Sequence, residues 1–108
     1  MLRIYAVALD WLESLAPVVR SVARADAGLA DQLRRSSTSV VLNLAEGMGG
    51  CGRAKTNCYR IALREMRESM AALDIALRLG YAEAFDDRDI ERQKRIVGTL
   101  VKLAQPVN

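Results

Sequence analysis

Gln32 to Gly47, QLRRSSTSVVLNLAEG, is the stretch whose reading decides the fold. Taken as a helix, it carries two lines of residues at alternating spacings of three and four. Leu29, just upstream, joins Leu33, Ser37, Val40 and Leu44 in a face that packs on a core. Gln32, Ser36, Ser39, Asn43 and Glu46 form the second line, polar but mostly uncharged. A face that needed only solubility would carry Lys and Glu; small hydroxyls and amides let another helix come close and hydrogen-bond. Leu42 projects away from the core line, between Arg35 and Glu46, where a monomer favours a polar residue. This helix is therefore expected to be an interface, through Gln32, Arg35, Ser36, Ser39, Leu42, Asn43 and Glu46. Hydrogen bonding inside one subunit explains the polar line equally well, and a single exposed leucine is commonplace. Gly47 is expected to close the helix, because glycine adopts positive φ at least cost.

The 108 residues suffice for one domain with a single core, spanning 1–108. Hydrophobic residues make up 51% and aromatics only 5%, with two prolines, which is the composition of an all-α protein. The net charge of +3 permits nucleic-acid binding without requiring it. Arginine supplies most of the basic charge, and its planar fork also suits carboxylate pairing at interfaces. The absence of histidine removes the commonest general base, the commonest metal ligand and every Ser-His or Cys-His nucleophile pair. Cys51 and Cys58 match no zinc spacing and read as free thiols. No metal or cofactor is expected. With no long apolar run and no charged leader before an apolar core, the expectation is a soluble cytoplasmic protein that does not engage membranes.

Residues 2 to about 24 form a first amphipathic segment, in which Ile4, Ala8, Trp11, Leu15, Val18 and Val22 make a heptad seam widened by Leu12 and Val19. Pro17 removes a hydrogen bond to the Glu13 carbonyl, so a kink or break is expected there. Arg24 to Gly28 reads as a connection, with Asp26 the N-cap of the second helix, Leu29 to Glu46. MGGCGR lacks the Gly-Lys-Ser/Thr ending of a phosphate-binding loop and reads as a flexible helix connection. The third helix, about Lys55 to Leu79, is capped by Gly80 and buries Tyr59, Ala62, Leu63, Met66, Met70, Leu73 and Leu77. Arg60, Arg64, Arg67 and Arg78 fall together on a flank of that face, with Glu65 and Glu68 beside them. Asp86 and Asp89 resemble a capping box; the glycine and bidentate glutamate of a calcium loop are missing. The fourth helix, about Asp87 to Ala104, is expected to bury Ile90, Val97, Leu100, Val101 and Ala104, to display Arg88, Arg92, Arg95 and Lys102, and to stop at Pro106. Four helices with short connections predict an antiparallel up-down-up-down four-helix bundle.

The central stretch resembles the four-helix-bundle family that includes proteins encoded in intervening sequences of bacterial 23S rRNA genes. Leu29-x-x-Gln32-Leu33-Arg34-Arg35, Ser39-Val40 and Asn43-Leu44-Ala45-Glu46-Gly47 follow its pattern L-x-x-Q-x-R-R-A-x-x-S-I-x-x-N-I-A-E-G. Ile61-Ala62, Glu68 and Leu79-Gly80-Tyr81 extend the resemblance to residues 29–81. Arg64-Glu65 replaces the usual Gly-Ser pair, and Ser36 the usual Ala. The resemblance implies a left-turning bundle assembled as a homo-oligomeric ring, typically a homopentamer. Most members have no defined role; a structurally similar group serves the reverse transcriptase of diversity-generating retroelements, binding nucleic acid and the enzyme through a basic surface. No core ribosomal role follows.

These residues admit three functions. The first is an oligomeric nucleic-acid-binding scaffold, using Arg60, Arg64, Arg67 and Arg78 with Arg88, Arg92, Arg95 and Lys102 on RNA or DNA phosphates. Solvated faces, or pairing with a neighbouring subunit's acids, are the plainer explanations of either run alone. The second is an interaction module whose ring recruits a partner protein, such as a reverse transcriptase, without touching nucleic acid. The third, an enzyme, fails on residue types: di-iron bundles need Glu-x-x-His pairs, and Glu65 and Glu68 sit among arginines that favour their ionised forms.

Overall fold

The spacing of apolar residues resolves into four helices in the computed structural model, which describes residues 3–105. They are α1 (Arg3–Ala25), α2 (Ala27–Gly49), α3 (Gly52–Arg78) and α4 (Asp87–Leu103), and no strand occurs among the described residues. Leu2, the expected start of the first segment, and Pro106, the expected stop of the fourth helix, lie outside the described residues.

The heptad seam of α1 forms as read: Ile4, Ala8, Trp11, Leu15 and Val22 are buried, with Val18, Leu12 and Val19 half-buried beside them. Pro17 does not break this helix, which runs through it. Glu13 and Pro17 are both exposed, so water can take the acceptor that proline leaves free. Asp26 alone separates α1 from α2 and is the expected N-cap, its carboxylate accepting from the Leu29 N–H at 2.9 Å. From α2, Leu33, Ser37, Val40 and Leu44 enter the core, joined by Ala30 and Val41.

Only Gly50 and Cys51 separate α2 from α3, so most of the expected flexible loop is helix. From α3, Tyr59, Ala62, Met66 and Leu73 are buried as expected, and so are Ser69, Ala72 and Ala76. Gly80 ends α3 as read, at φ +75°. Its N–H bonds the Leu77 carbonyl at 3.2 Å while that of Tyr81 reaches back to Ala76 at 2.8 Å, the paired pattern of a Schellman motif. Tyr81 then packs over Val22, Ala30 and Ala76, and its carbonyl accepts from the Ser21 hydroxyl at 2.8 Å.

The fourth helix departs from its expected register. Asp86 caps it, accepting from the Arg88 N–H at 2.7 Å, but Asp89 turns to Arg92 instead of completing a capping box. Its core line is Asp89, Ile96, Leu100 and Ala104; Ile90 and Val101, expected inside, are exposed, and Val97 is half-buried. Polar residues on the true core line explain the difference. Gln93 accepts the Trp11 indole N–H at 3.2 Å and Asp89 holds Arg92 at 2.7 Å, so this line looks hydrophilic in sequence yet packs inward. Helices adjacent in sequence lie side by side, α2 most extensively against α3, and α4 packs on α1 as well as on α3.

Candidate functional site

The polar line of α2 lies along its seam with α3. Ser36 and Ser69 are both buried, and their hydroxyl oxygens lie 2.7 Å apart. The Leu33 carbonyl lies 3.3 Å from the Ser36 hydroxyl and the Glu65 carbonyl 2.9 Å from that of Ser69; with one proton each, the two hydroxyls make two of these three hydrogen bonds at a time. A buried hydroxyl without such a partner is costly, and small side chains are what bring the helices close enough to supply them. At the rim, the Gln32 amide donates to Glu68 at 3.1 Å, while Asn43 folds back on the Ser39 carbonyl and hydroxyl at 2.9 and 3.1 Å. Glu46 faces the Cys58 thiol at 4.0 Å. Above this seam opens a groove of about 590 Å³, walled by Asp31, Gln32, Arg35, Ser36, Ser39, Glu65 and Glu68. Asp31 pairs with Arg34 at 2.6 Å and Arg35 at 3.3 Å, and the Arg34 hydrogen bond holds its carboxyl below the usual carboxylate range.

Gly47 does not end α2. The helix continues to Gly49, and Gly47 is buried beneath the Tyr59 ring. A Cβ at position 47 would stand 2.5 Å from Tyr59 Cε1 and 2.9 Å from Cδ1 and Cζ. The glycine is required by helix contact, not by backbone conformation; positive φ occurs instead at Gly52 and Gly80. Tyr59 is buried and its hydroxyl has no partner among the described residues. Burial pushes its phenol up from the usual range, and the neighbouring Cys58 adds to the shift.

The two expected arginine runs divide differently. Arg60, Arg67, Arg78, Arg88, Arg95 and Lys102 are exposed and have no carboxylate within ion-pair distance among the described residues. Arg60 Nε also donates to the Ala104 carbonyl at 3.3 Å, joining α3 to the end of α4. Arg64 approaches Glu65 at 3.7 Å. Arg92 leaves the display altogether, tied to a buried Asp89.

Leu42 is 61% exposed, and sequence reading missed two companions, Leu79 at 58% and Ile75 at 47%. These are the three most exposed large apolar side chains described, Leu42 on α2, Ile75 on α3 and Leu79 at the C-cap of α3. The signal was present, since Ile75 and Leu79 are four apart and off the apolar face of α3.

Cys51 and Cys58 are free thiols. No three His, Cys, Asp or Glu side chains cluster to hold a metal among the described residues, and no described helix is long and apolar enough to cross a membrane.

No curated protein matches the chain. A crystal structure of a protein of unknown function from the S23 ribosomal protein family of Bacteroides thetaiotaomicron superposes with a TM-score of 0.80, covering 94% of this chain and 98% of that one. At 18% identity that likeness speaks to the fold. The model of the 23S rRNA-intervening sequence protein family matches residues 1–102, nearly the whole chain and well beyond the motif at 29–81, and the chain belongs to that family.

Proposed function

We propose that the protein is a non-enzymatic cytoplasmic scaffold, an antiparallel bundle assembled as a homopentameric ring that binds RNA or DNA through repeated arginine-rich surfaces. The observation that carries this reading is that six of the eight cations in the two runs, Arg60, Arg67, Arg78, Arg88, Arg95 and Lys102, are exposed without a carboxylate partner among the described residues. Isolated surface cations cost nothing to leave solvated, but a ring repeats each one, so a subunit of +3 builds a strongly basic particle. Guanidinium groups on regular helix surfaces meet phosphates without reading bases, so binding is expected to follow shape and charge, not sequence. The exposed trio Leu42, Ile75 and Leu79 favours a second reading, a ring that recruits a partner protein such as a reverse transcriptase.

The test is Arg67→Ala with Arg78→Ala, two exposed residues with no hydrogen bond to the fold among the described residues. Affinity for a structured RNA should fall about 10-fold or more at low salt, and the slope of log affinity against log salt should shrink by about two phosphate contacts. Assembly and melting should not change. Unaltered RNA affinity would reject this surface as the binding face, and absence of RNA binding by the parent protein would favour the partner-protein reading.

A further inference from the structure

The α2–α3 groove and the outer face of α4 carry opposite charge on one chain. The groove is walled by three carboxylates, Asp31, Glu65 and Glu68, and by Arg35; Arg34 and Arg35 hold Asp31 and Arg64 approaches Glu65, which leaves Glu68 as the acid without a cation among the described residues. Glu68 has no cation within ion-pair distance among the described residues, and its recorded partner there is the neutral Gln32 amide. On α4, Arg88, Arg95 and Lys102 recur every seven residues, which places them on one line about 10.5 Å apart. All three are exposed and unpaired among the described residues. Outside the groove, Leu42 on α2, and Ile75 and Leu79 beside Asp74 and Arg78 at the end of α3, are also exposed, an exposure that a protein contact would cover and that a nucleic acid would not.

We infer that the α2–α3 face of one subunit receives the outer face of α4 of a second copy, with Arg88 and Arg95 directed at Glu65 and Glu68. The inference rests on the oligomeric reading above and deepens it. The contact uses two different surfaces, so it is heterologous and propagates around a ring, which a self-complementary contact does not do. A protein segment is the occupant the charges select, because phosphates would meet the groove's carboxylates with repulsion. It draws Arg88 and Arg95 into the subunit contact, so of the six cations above Arg60, Arg67, Arg78 and Lys102 remain for nucleic acid. The Arg64-Glu65 pair, where the family pattern has Gly-Ser, supplies one of the two acids.

The experiment is light scattering coupled to size exclusion on the full chain, with circular dichroism confirming the fold of every variant. E65R/E68R and R88E/R95E should each dissociate the assembly, weakening it by about 100-fold, and the chain bearing all four substitutions should regain it. E65Q/E68Q, close in shape and safer for folding, should weaken it by about 10-fold. Dissociation by both pairs without recovery in the fourfold variant would show that the two faces do not meet. An oligomeric parent indifferent to every variant would overturn this contact alone, whereas a monomeric parent would overturn the oligomeric reading itself.

Discussion

Gly47→Ala is expected to destabilise the protein by about 1–3 kcal/mol, toward the upper end of what overpacking a core usually costs. The added methyl would fall 2.5 Å from Tyr59 Cε1, and the ring beneath it is buried, so neither side can yield locally. Relief requires a new Tyr59 rotamer or a wider separation of α2 from α3, and the latter would strain the Ser36–Ser69 contact at 2.7 Å. At about 4–8 °C per kcal/mol for a domain near this size, melting should fall by roughly 10–20 °C. Subunit concentration must be held fixed, because melting of the proposed oligomer would depend on it. In a Tyr59→Leu background the same substitution should cost much less, which isolates the pairwise contact. A Gly47→Ala protein melting with the parent would show that the ring does not rest on this glycine.

Trp11→Ala should have the larger effect, about 3–5 kcal/mol, the usual cost of deleting a buried large aromatic side chain. Trp11 is fully buried at the centre of the main core, and its indole N–H is satisfied across the bundle by Gln93. Domains of ordinary stability have about 5–15 kcal/mol in total, so the loss would consume a large share of it. Gln93→Leu leaves the indole N–H unpaired and should cost about 1–3 kcal/mol. Urea unfolding followed by circular dichroism measures both, since the substitution at position 11 removes the only tryptophan reporter. A Trp11→Ala midpoint equal to that of the parent would contradict the packing described.

What the sequence disclosed, and what it hid, follow from how each face is made. The seam of α1 was legible because its buried positions are nearly all apolar and recur in strict heptads. The buried line of α2 was legible for the same reason, and Asp26 and Gly80 announced their caps. Gly47 was misread because a glycine after Asn-Leu-Ala-Glu, with three more glycines close behind, has the composition of a helix end. Its true role depends on Tyr59, twelve residues away on another helix, and no local pattern encodes that contact. On α4 Leu100 and Ala104 are buried as read, but apolarity also drew in Ile90 and Val101, which are exposed. Ile90, Val97 and Val101 are uniformly apolar, while the true core line includes Asp89 and passes Gln93, whose partners Arg92 and Trp11 are visible only in three dimensions. The same blindness affected the candidate site. Sequence spacing placed eight cations on two faces, but only the fold shows Arg92 held by a buried carboxylate and Arg64 drawn toward Glu65.

A basic oligomer that holds nucleic acid by its backbone is the central claim, and light scattering coupled to size exclusion, with and without a structured RNA, tests it most directly. The expected result is a particle of about five subunits of 11.9 kDa that gains mass with RNA at about 50 mM salt and loses it by about 200 mM. A single 11.9 kDa subunit, unmoved by RNA at either salt, would contradict both the assembly and the surface it is proposed to build.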